Sequence, residues 1–318
     1  AGMWVMPEEL PAALGQPHGE RLLDLLGNAP ATVFDLVDRH GNPYPKGDPR
    51  YAPTFDELAQ DAQAVDVAAV RAAHRRFLSA GTGEFSAVGD FDAAAVRQAV
   101  ETAFGDWRQP AGGALPFVRL PQPLVQPAPL RVLLATPDKA NANLVIAQPM
   151  AINDTHPDYP ALLMANHLLG GSATSRLWLR IREKEGLSYD VRSFVAWNPF
   201  EAASRWQATA IFAPQNQPRV EAALREEVAR ALAEGFGATE LAQGRTGLLN
   251  QRRLARAQDD ALAAALGSNQ YLQRRFALQQ QVDDALAALT VEQVNAALRR
   301  YLDPSRWVTA WAGDFKQP

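Results

Sequence analysis

The sequence reads as an α+β protein of duplicated domains, each with a largely antiparallel sheet covered by helices on one face. Three observations carry that reading. Beyond residue 130 the apolar patterns run as two strands, two helices, two strands, four helices and a final strand, an order that is α+β rather than strictly alternating. Asp66–Phe91 aligns without gaps on Thr290–Phe315 at an offset of 224 residues, and ten of the 26 pairs are identical, among them Val67/Val291, Arg75/Arg299, Arg76/Arg300 and Leu78/Leu302. Both copies set a capped amphipathic helix before a strand ending in Gly-Asp-Phe, and a duplication is the simplest cause. Between the copies, Pro110, Pro116, Pro121, Pro123, Pro127 and Pro129 mark an extended linker.

Taken in order, residues 1–50 are uneven, with helices expected near Pro7–Leu14 and His18–Leu26. His40–Pro49 is dense in turn formers and breaks any helix. Thr54 is an N-cap with acid groups behind it, opening a helix over Phe55–Gln60. Asp66 caps the first repeated helix, Glu84–Val88 is expected as its strand, and Asp92 caps a helix running to about Phe104. After the linker, Leu130–Ala135 and Asn143–Met150 read as strands and Pro157–Leu169 as a helix. A helix through Leu177, Leu179 and Ile181 follows, then strands over Leu187–Trp197 and Arg205–Phe212. Helices are expected at about Pro218–Glu234, Thr239–Arg256 and Asp259–Ala277. Thr290 caps the last one through Leu302, and Trp307–Ala312 closes as a strand. The chain thus divides into 1–107, a linker at 108–129, and 130–318. Because the second copy starts near Leu130, the offset sets the start of the first copy before Ala1. Residues 1–107 are therefore expected to be the C-terminal part of a truncated first repeat, and 130–318 a complete second one.

With 318 residues, 47% hydrophobic and 21% charged, the composition is that of a globular protein with room for two domains. A net charge of −4 gives no basic footprint for nucleic acid, and no run of about 18 apolar residues exists to span a membrane. The absence of cysteine excludes disulfides, thiolate metal sites and cysteine nucleophiles. Ala1–Leu10 lacks a basic segment followed by a long apolar one, so it does not read as a signal peptide. No G-x-S-x-G, dinucleotide or P-loop fingerprint occurs. Asp259-Asp260 and Asp283-Asp284 point to different sides of their helices and read as helix-start charges. Trp178, Trp197, Trp206, Trp307 and Trp311 read as core or sheet-face packing.

The chemistry concentrates in residues 168–192. Gly170 and Gly171 break the preceding helix, and Ser172 or Thr174 can cap the next one. Gly186 stands where a C-cap glycine belongs, with Lys184 in the last turn. Arg182, near the helix end, and Tyr189, early in the strand, then lie across one tight turn. Taken alone, Arg176, Arg180 and Arg182 with Glu183 and Glu185 would equally describe a solvated helix face.

This stretch, from Ser175-Arg-Leu through Arg182-Glu-Lys-Glu-Gly-Leu-Ser-Tyr189, resembles the pitrilysin/insulinase family of zinc metallopeptidases, the inverzincins. In that family an arginine and a tyrosine seven residues apart occupy a helix–Gly–strand context in the C-terminal half. Asp48–Thr54 is similar to the family as well, and its proteins are built from duplicated α+β domains. The resemblance implies that Arg182 and Tyr189 are auxiliary catalytic residues, donors to a zinc site carried by another half of the enzyme. An inverzincin binds zinc through H-x-x-E-H. The five histidines here, His18, His40, His74, His156 and His167, include no pair at that spacing, and His18-Gly-Glu-Arg-Leu is the nearest approach. Zinc is accordingly expected outside this chain, which is expected to be inactive alone. Its implied partners are a catalytic H-x-x-E-H half, on the same parent chain or a separate subunit, and a peptide substrate. The resemblance also implies a periplasmic setting. The alternative is a non-catalytic scaffold or partner subunit of the same fold.

Overall fold

The computed structural model describes residues 29–108 and 119–315. The helices expected at Pro7–Leu14 and His18–Leu26 lie outside the described residues. The described residues form two compact units, those within Ala1–Leu58, Pro121–Leu248 and Asp284–Pro318, and those within Ala59–Leu120 and Leu249–Asp283.

The first unit is built on five strands: β1 (Leu130–Ala135), β2 (Ala142–Met150), β3 (Ser188–Ala196), β4 (Ser204–Phe212) and β5 (Val308–Gly313). Their order in the sheet is β1-β5-β2-β4-β3. β1 runs parallel to β5, with Val132 opposite Ala310, and the other three pairings are antiparallel. Side chains alternate along each strand, so the sheet has two faces with different covers. On one face Leu144, Ile146, Trp206, Phe212 and Trp311 are buried. This face lies under α5 (Tyr159–Leu169), α6 (Gln217–Glu234) and α10 (Val291–Tyr301). Trp206 stacks on Trp307 at 5.6 Å between ring centroids, and Phe212 meets Trp311 edge-on at 5.7 Å. On the other face Val145, Ala147, Val308, Ala310 and Ala312 pack against Val33 and Val37.

Those two valines belong to α1 (Ala29–His40), a helix that the sequence reading of residues 1–50 left unassigned. Its signal was the Val33, Leu36, Val37 spacing, one stripe of a helix. The helices thus cover the β2, β4 and β5 part of one face, leaving Leu133 of β1 exposed, and α1 adds a cover over β5 and β2 on the other. The Asp38 carboxylate pairs with Arg205 of β4, and His40 Nε2 lies 2.7 Å from the Ala128 carbonyl.

The second unit carries most of α2 (Phe55–Ala64), all of α3 (Val67–Phe77), α4 (Ala93–Phe104) and α8 (Asp259–Tyr271), and parts of α7 (Ala238–Ala255) and α9 (Ala277–Ala288). Asp66 caps α3 by accepting from the Ala69 amide, and Asp92 caps α4 through the Ala94 and Ala95 amides. His74 stacks on Trp107 at 5.4 Å. Asp283 accepts from both Arg252 and Arg256 at 2.5 Å.

Two sequence expectations need correction. Glu84–Val88 is not a strand; the segment makes no backbone hydrogen bond among the described residues, because no neighbouring strand lies beside it. Asp259–Ala277 is not one helix, since α8 stops at Tyr271 and α9 begins at Ala277. The stop is made by Gln273 at φ 53°, a left-handed conformation usually left to glycine, which lets the Arg274 amide reach back to the Asn269 carbonyl at 2.8 Å. With no glycine or proline between 272 and 276, nothing in the composition marks that break.

The α1 cover yields a first prediction. Val33 is fully buried against the sheet, so Val33→Ala should cost on the order of 2 kcal/mol of stability. A urea midpoint indistinguishable from the parent would show that α1 does not pack there in solution.

Candidate functional site

The site is set by how α5 ends. The Asn166 carbonyl accepts from both the Gly170 and Gly171 amides, at 3.0 and 2.9 Å, closing the helix. The Gly170 carbonyl in turn accepts from the Ser193 amide of β3 at 2.9 Å. A Cβ at Gly170 would lie 2.5 Å from Ser193 Oγ and 2.7 Å from its backbone nitrogen, so the glycine is required by close approach to the strand. Asn166 also spends its side chain here: Nδ2 donates to the Ser193 carbonyl at 3.1 Å, and Oδ1 accepts from Ser193 Oγ at 2.8 Å and Trp206 Nε1 at 3.1 Å. All three residues are buried, so each polar group removed from water finds a partner.

The expected helix follows, in an altered form. Trp178–Lys184 is π-helical, a wider coil often found at functional sites. Neither Ser172 nor Thr174 caps it. Ser172 Oγ donates to the His167 carbonyl instead, and buried Ser175 donates to the Ser172 carbonyl at 2.6 Å. Gly186 ends the helix at φ 60°, with its amide bonded to the Arg182 carbonyl and the Leu187 amide to the Ile181 carbonyl at 2.9 Å. The Leu187 amide thus reaches back six residues around a left-handed glycine, one more than in the cap of an α-helix, as the wider coil of the preceding segment requires, and Leu187 itself is buried.

The three arginines of this stretch separate by what they touch. Arg176 forks onto Glu240, with Nε and Nη2 each 2.8 Å from a carboxylate oxygen, and Nη2 also reaches the Gly235 carbonyl. The Glu240 hydrogen bonds raise the Arg176 pKa and lower that of Glu240. Arg180 bonds Glu185 at 3.0 Å and Glu226 at 2.5 Å. Arg182 makes no hydrogen bond through its guanidinium among the described residues. It lies 4.2 Å over the Trp178 ring, is 3.9 Å from Glu183, and leaves 43% of its side chain exposed.

Tyr189 stands on a β-bulge. Ser188 pairs with Phe212 and Asp190 with Ile211, so Tyr189 is the extra residue of edge strand β3 and is 72% exposed. Bulges re-aim side chains and recur beside active sites. No hydrogen bond or ring contact joins Arg182 to Tyr189 among the described residues.

The residues present do not fit a zinc site. Among the described residues no three His, Asp or Glu side chains gather to hold a metal ion. His74 is stacked on Trp107, His156 Nδ1 accepts from the Asp158 amide, and His167 is buried. His18 lies outside the described residues.

Comparison with known proteins gives the family and the fold. Residues 64–248 match the family model described as the peptidase M16 inactive domain, and the chain belongs to that family. No curated protein sequence matches it. Among solved structures it is similar to a peptidase M16 inactive domain from Pseudomonas fluorescens (TM-score 0.74, 21% identity, 95% of this chain and 71% of that one). It is similar to the periplasmic protease PqqL from Escherichia coli (TM-score 0.62, 19% identity, 95% of this chain and 32% of that one). A chain of Complex III2 from Candida albicans shares the fold at a TM-score of 0.65 and 13% identity, over 94% of this chain and 71% of that one.

Two predictions follow from the way α5 ends. Gly170→Ala forces its Cβ into the β3 backbone, so it should destabilise the fold by about 1–3 kcal/mol, read as a lower melting temperature. Burial lowers the His167 pKa from 6.5. Above about pH 6.5 the folded and unfolded states bind the same number of protons at this group; below it the unfolded chain takes up the extra proton, and stability falls toward the depressed folded pKa. The drop in urea midpoint between pH 7.5 and 5.5 should therefore be smaller in His167→Leu than in the parent, and equal drops would refute the assignment.

Proposed function

We propose that this chain is the non-zinc part of a zinc metalloendopeptidase, closing over an extended, unfolded peptide opposite a catalytic H-x-x-E-H half. In this reading residues 1–107 are the end of a first repeat, 108–129 a linker, and 130–318 a complete second repeat. Arg182 and Tyr189 reach toward the scissile peptide, and zinc is bound by the other half, on the same parent chain or a separate one. What supports the reading is the division of labour among the arginines. Arg176 and Arg180 are used up in holding the segment to Glu240 and Glu226, whereas Arg182 is held over Trp178 with its hydrogen-bond donors unspent.

Attack on a peptide carbonyl places negative charge on its oxygen, and donors positioned for that charge stabilise it as it develops. A guanidinium and a phenol hydroxyl keep their protons at neutral pH, so both can serve as such donors. The exposed bulge position of Tyr189 and the capped turn at Gly186 set both side chains on one short hairpin of chain. The similarity to a periplasmic protease supports a periplasmic setting. The second reading, a non-catalytic scaffold of the same fold, is supported by the likeness to a chain of a respiratory complex.

In the enzyme reconstituted with its zinc half, Tyr189→Phe removes one donor and little packing. Turnover of a denatured protein substrate should fall about 100- to 1,000-fold with the melting temperature unchanged. Arg182→Ala should do the same and weaken substrate binding. Parental turnover in both variants would favour the scaffold.

A further inference from the structure

We infer that Trp178 is a positioning residue for Arg182, its ring holding the guanidinium in place while leaving the N–H groups free to donate. The task of Arg182 is that of the proposed function, on which this assignment rests; the hold itself rests on geometry.

The placement follows from the coil of the segment. Leu177 and Ile181 are buried and fix which way it faces. Arg176 and Arg180, one residue before each, turn to Glu240 and Glu226. Trp178 and Arg182, one residue after each, form the opposite flank. There the guanidinium lies 4.2 Å over the indole four residues before it. The sequence reading took Trp178 for packing; it is instead partly exposed, with one face under a cation.

Other arginines of the chain show that this pairing is not routine packing. Arg50, Arg176 and Arg225 lie over Tyr44, Phe236 and Trp307 at 3.8, 4.7 and 5.5 Å. Each of them also bonds a carboxylate, that of Asp48, Glu240 or Glu221, so the ring supplements an ion pair. Arg76 lies 5.1 Å over Phe77, its neighbour in sequence. At Arg182 the ring acts without a hydrogen-bonded carboxylate among the described residues, since Glu183 stands 3.9 Å away.

Such a hold suits a group that must donate to a developing oxyanion. A carboxylate would fix Arg182 as well, but it would occupy the donors and neutralise the charge. An aromatic face attracts the cation through its quadrupole and takes none of the N–H groups, which lie in the guanidinium plane. Without any hold, the side chain would give up its rotamer freedom each time it engaged the substrate.

Two measurements test the assignment. In the chain alone, the indole ring current should shift the Arg182 methylene protons upfield, identified by their loss in Arg182→Ala, and Trp178→Leu should abolish the shift. Unshifted Arg182 protons in the parent would overturn the inference without any Trp178 variant. In the enzyme reconstituted with its zinc half, Trp178→Leu should lower turnover by roughly 10- to 100-fold, the scale of loss from misplacing a catalytic group by about 1 Å. Trp178→Phe keeps an aromatic face and should lose less than about threefold. Equal losses in the two variants would mean that bulk matters and the face does not, and would overturn the inference. Added to Arg182→Ala, Trp178→Leu should cost nothing further, because no guanidinium remains to be held. A merely structural tryptophan would cost the same in both backgrounds, and that result refutes a positioning role. So does parental turnover in Trp178→Leu beside a loss in Arg182→Ala. Parental turnover in Arg182→Ala would instead remove the proposed function itself, and it is seen before any Trp178 variant is made, so the two failures are distinct.

Discussion

Asn166 is the residue on which the geometry of the site depends. Its carbonyl ends α5, its amide group holds β3, and its side-chain oxygen holds both Ser193 and Trp206 of β4. A buried amide with every group satisfied is directional in a way that apolar packing is not, and it fixes one register of strand against helix. The glycine at 170 permits the close approach that these bonds require. Everything downstream, from the π-helical turn to the bulge at Tyr189, starts from that anchored point.

The same economy explains why the segment between α5 and β3 is rich in arginine and glutamate without being a simple solvated face. Arg176 and Arg180 each bind carboxylates on other parts of the chain, Glu240 and Glu226, and so hold the short helix in place. Planar two-point pairing of a guanidinium with a carboxylate gives geometric definition beyond that of a point charge. Arg182 differs by what it lacks, and stacking on Trp178 restricts it without using its donors.

The two copies of the repeat make a natural comparison of sequence with environment. Helix and caps are nearly the same in α3 and α10, because capping and amphipathic spacing are local. The strand forms in one copy and not in the other, because a strand exists by pairing with its neighbours.

That contrast separates what the sequence determined from what the tertiary structure decided. The sequence by itself was enough for the α+β class, for β1 to the residue, for the capped starts of α3, α4 and α10, and for the glycine turn at 186, all features with local causes. It also pointed to Arg182 and Tyr189, through the resemblance of residues 175–189 to the pitrilysin/insulinase family. Asn166 was not legible, because an asparagine inside a helix carries no mark of the strand it will bond. Neither were α1, the break at Gln273 and the missing strand at 84–88, since packing or pairing against distant residues settles each of them. Which arginine would be left with its donors unspent was also beyond the sequence, for Glu240 and Glu226, which hold Arg176 and Arg180 to the rest of the fold, lie 64 and 46 residues away and meet them only in the fold.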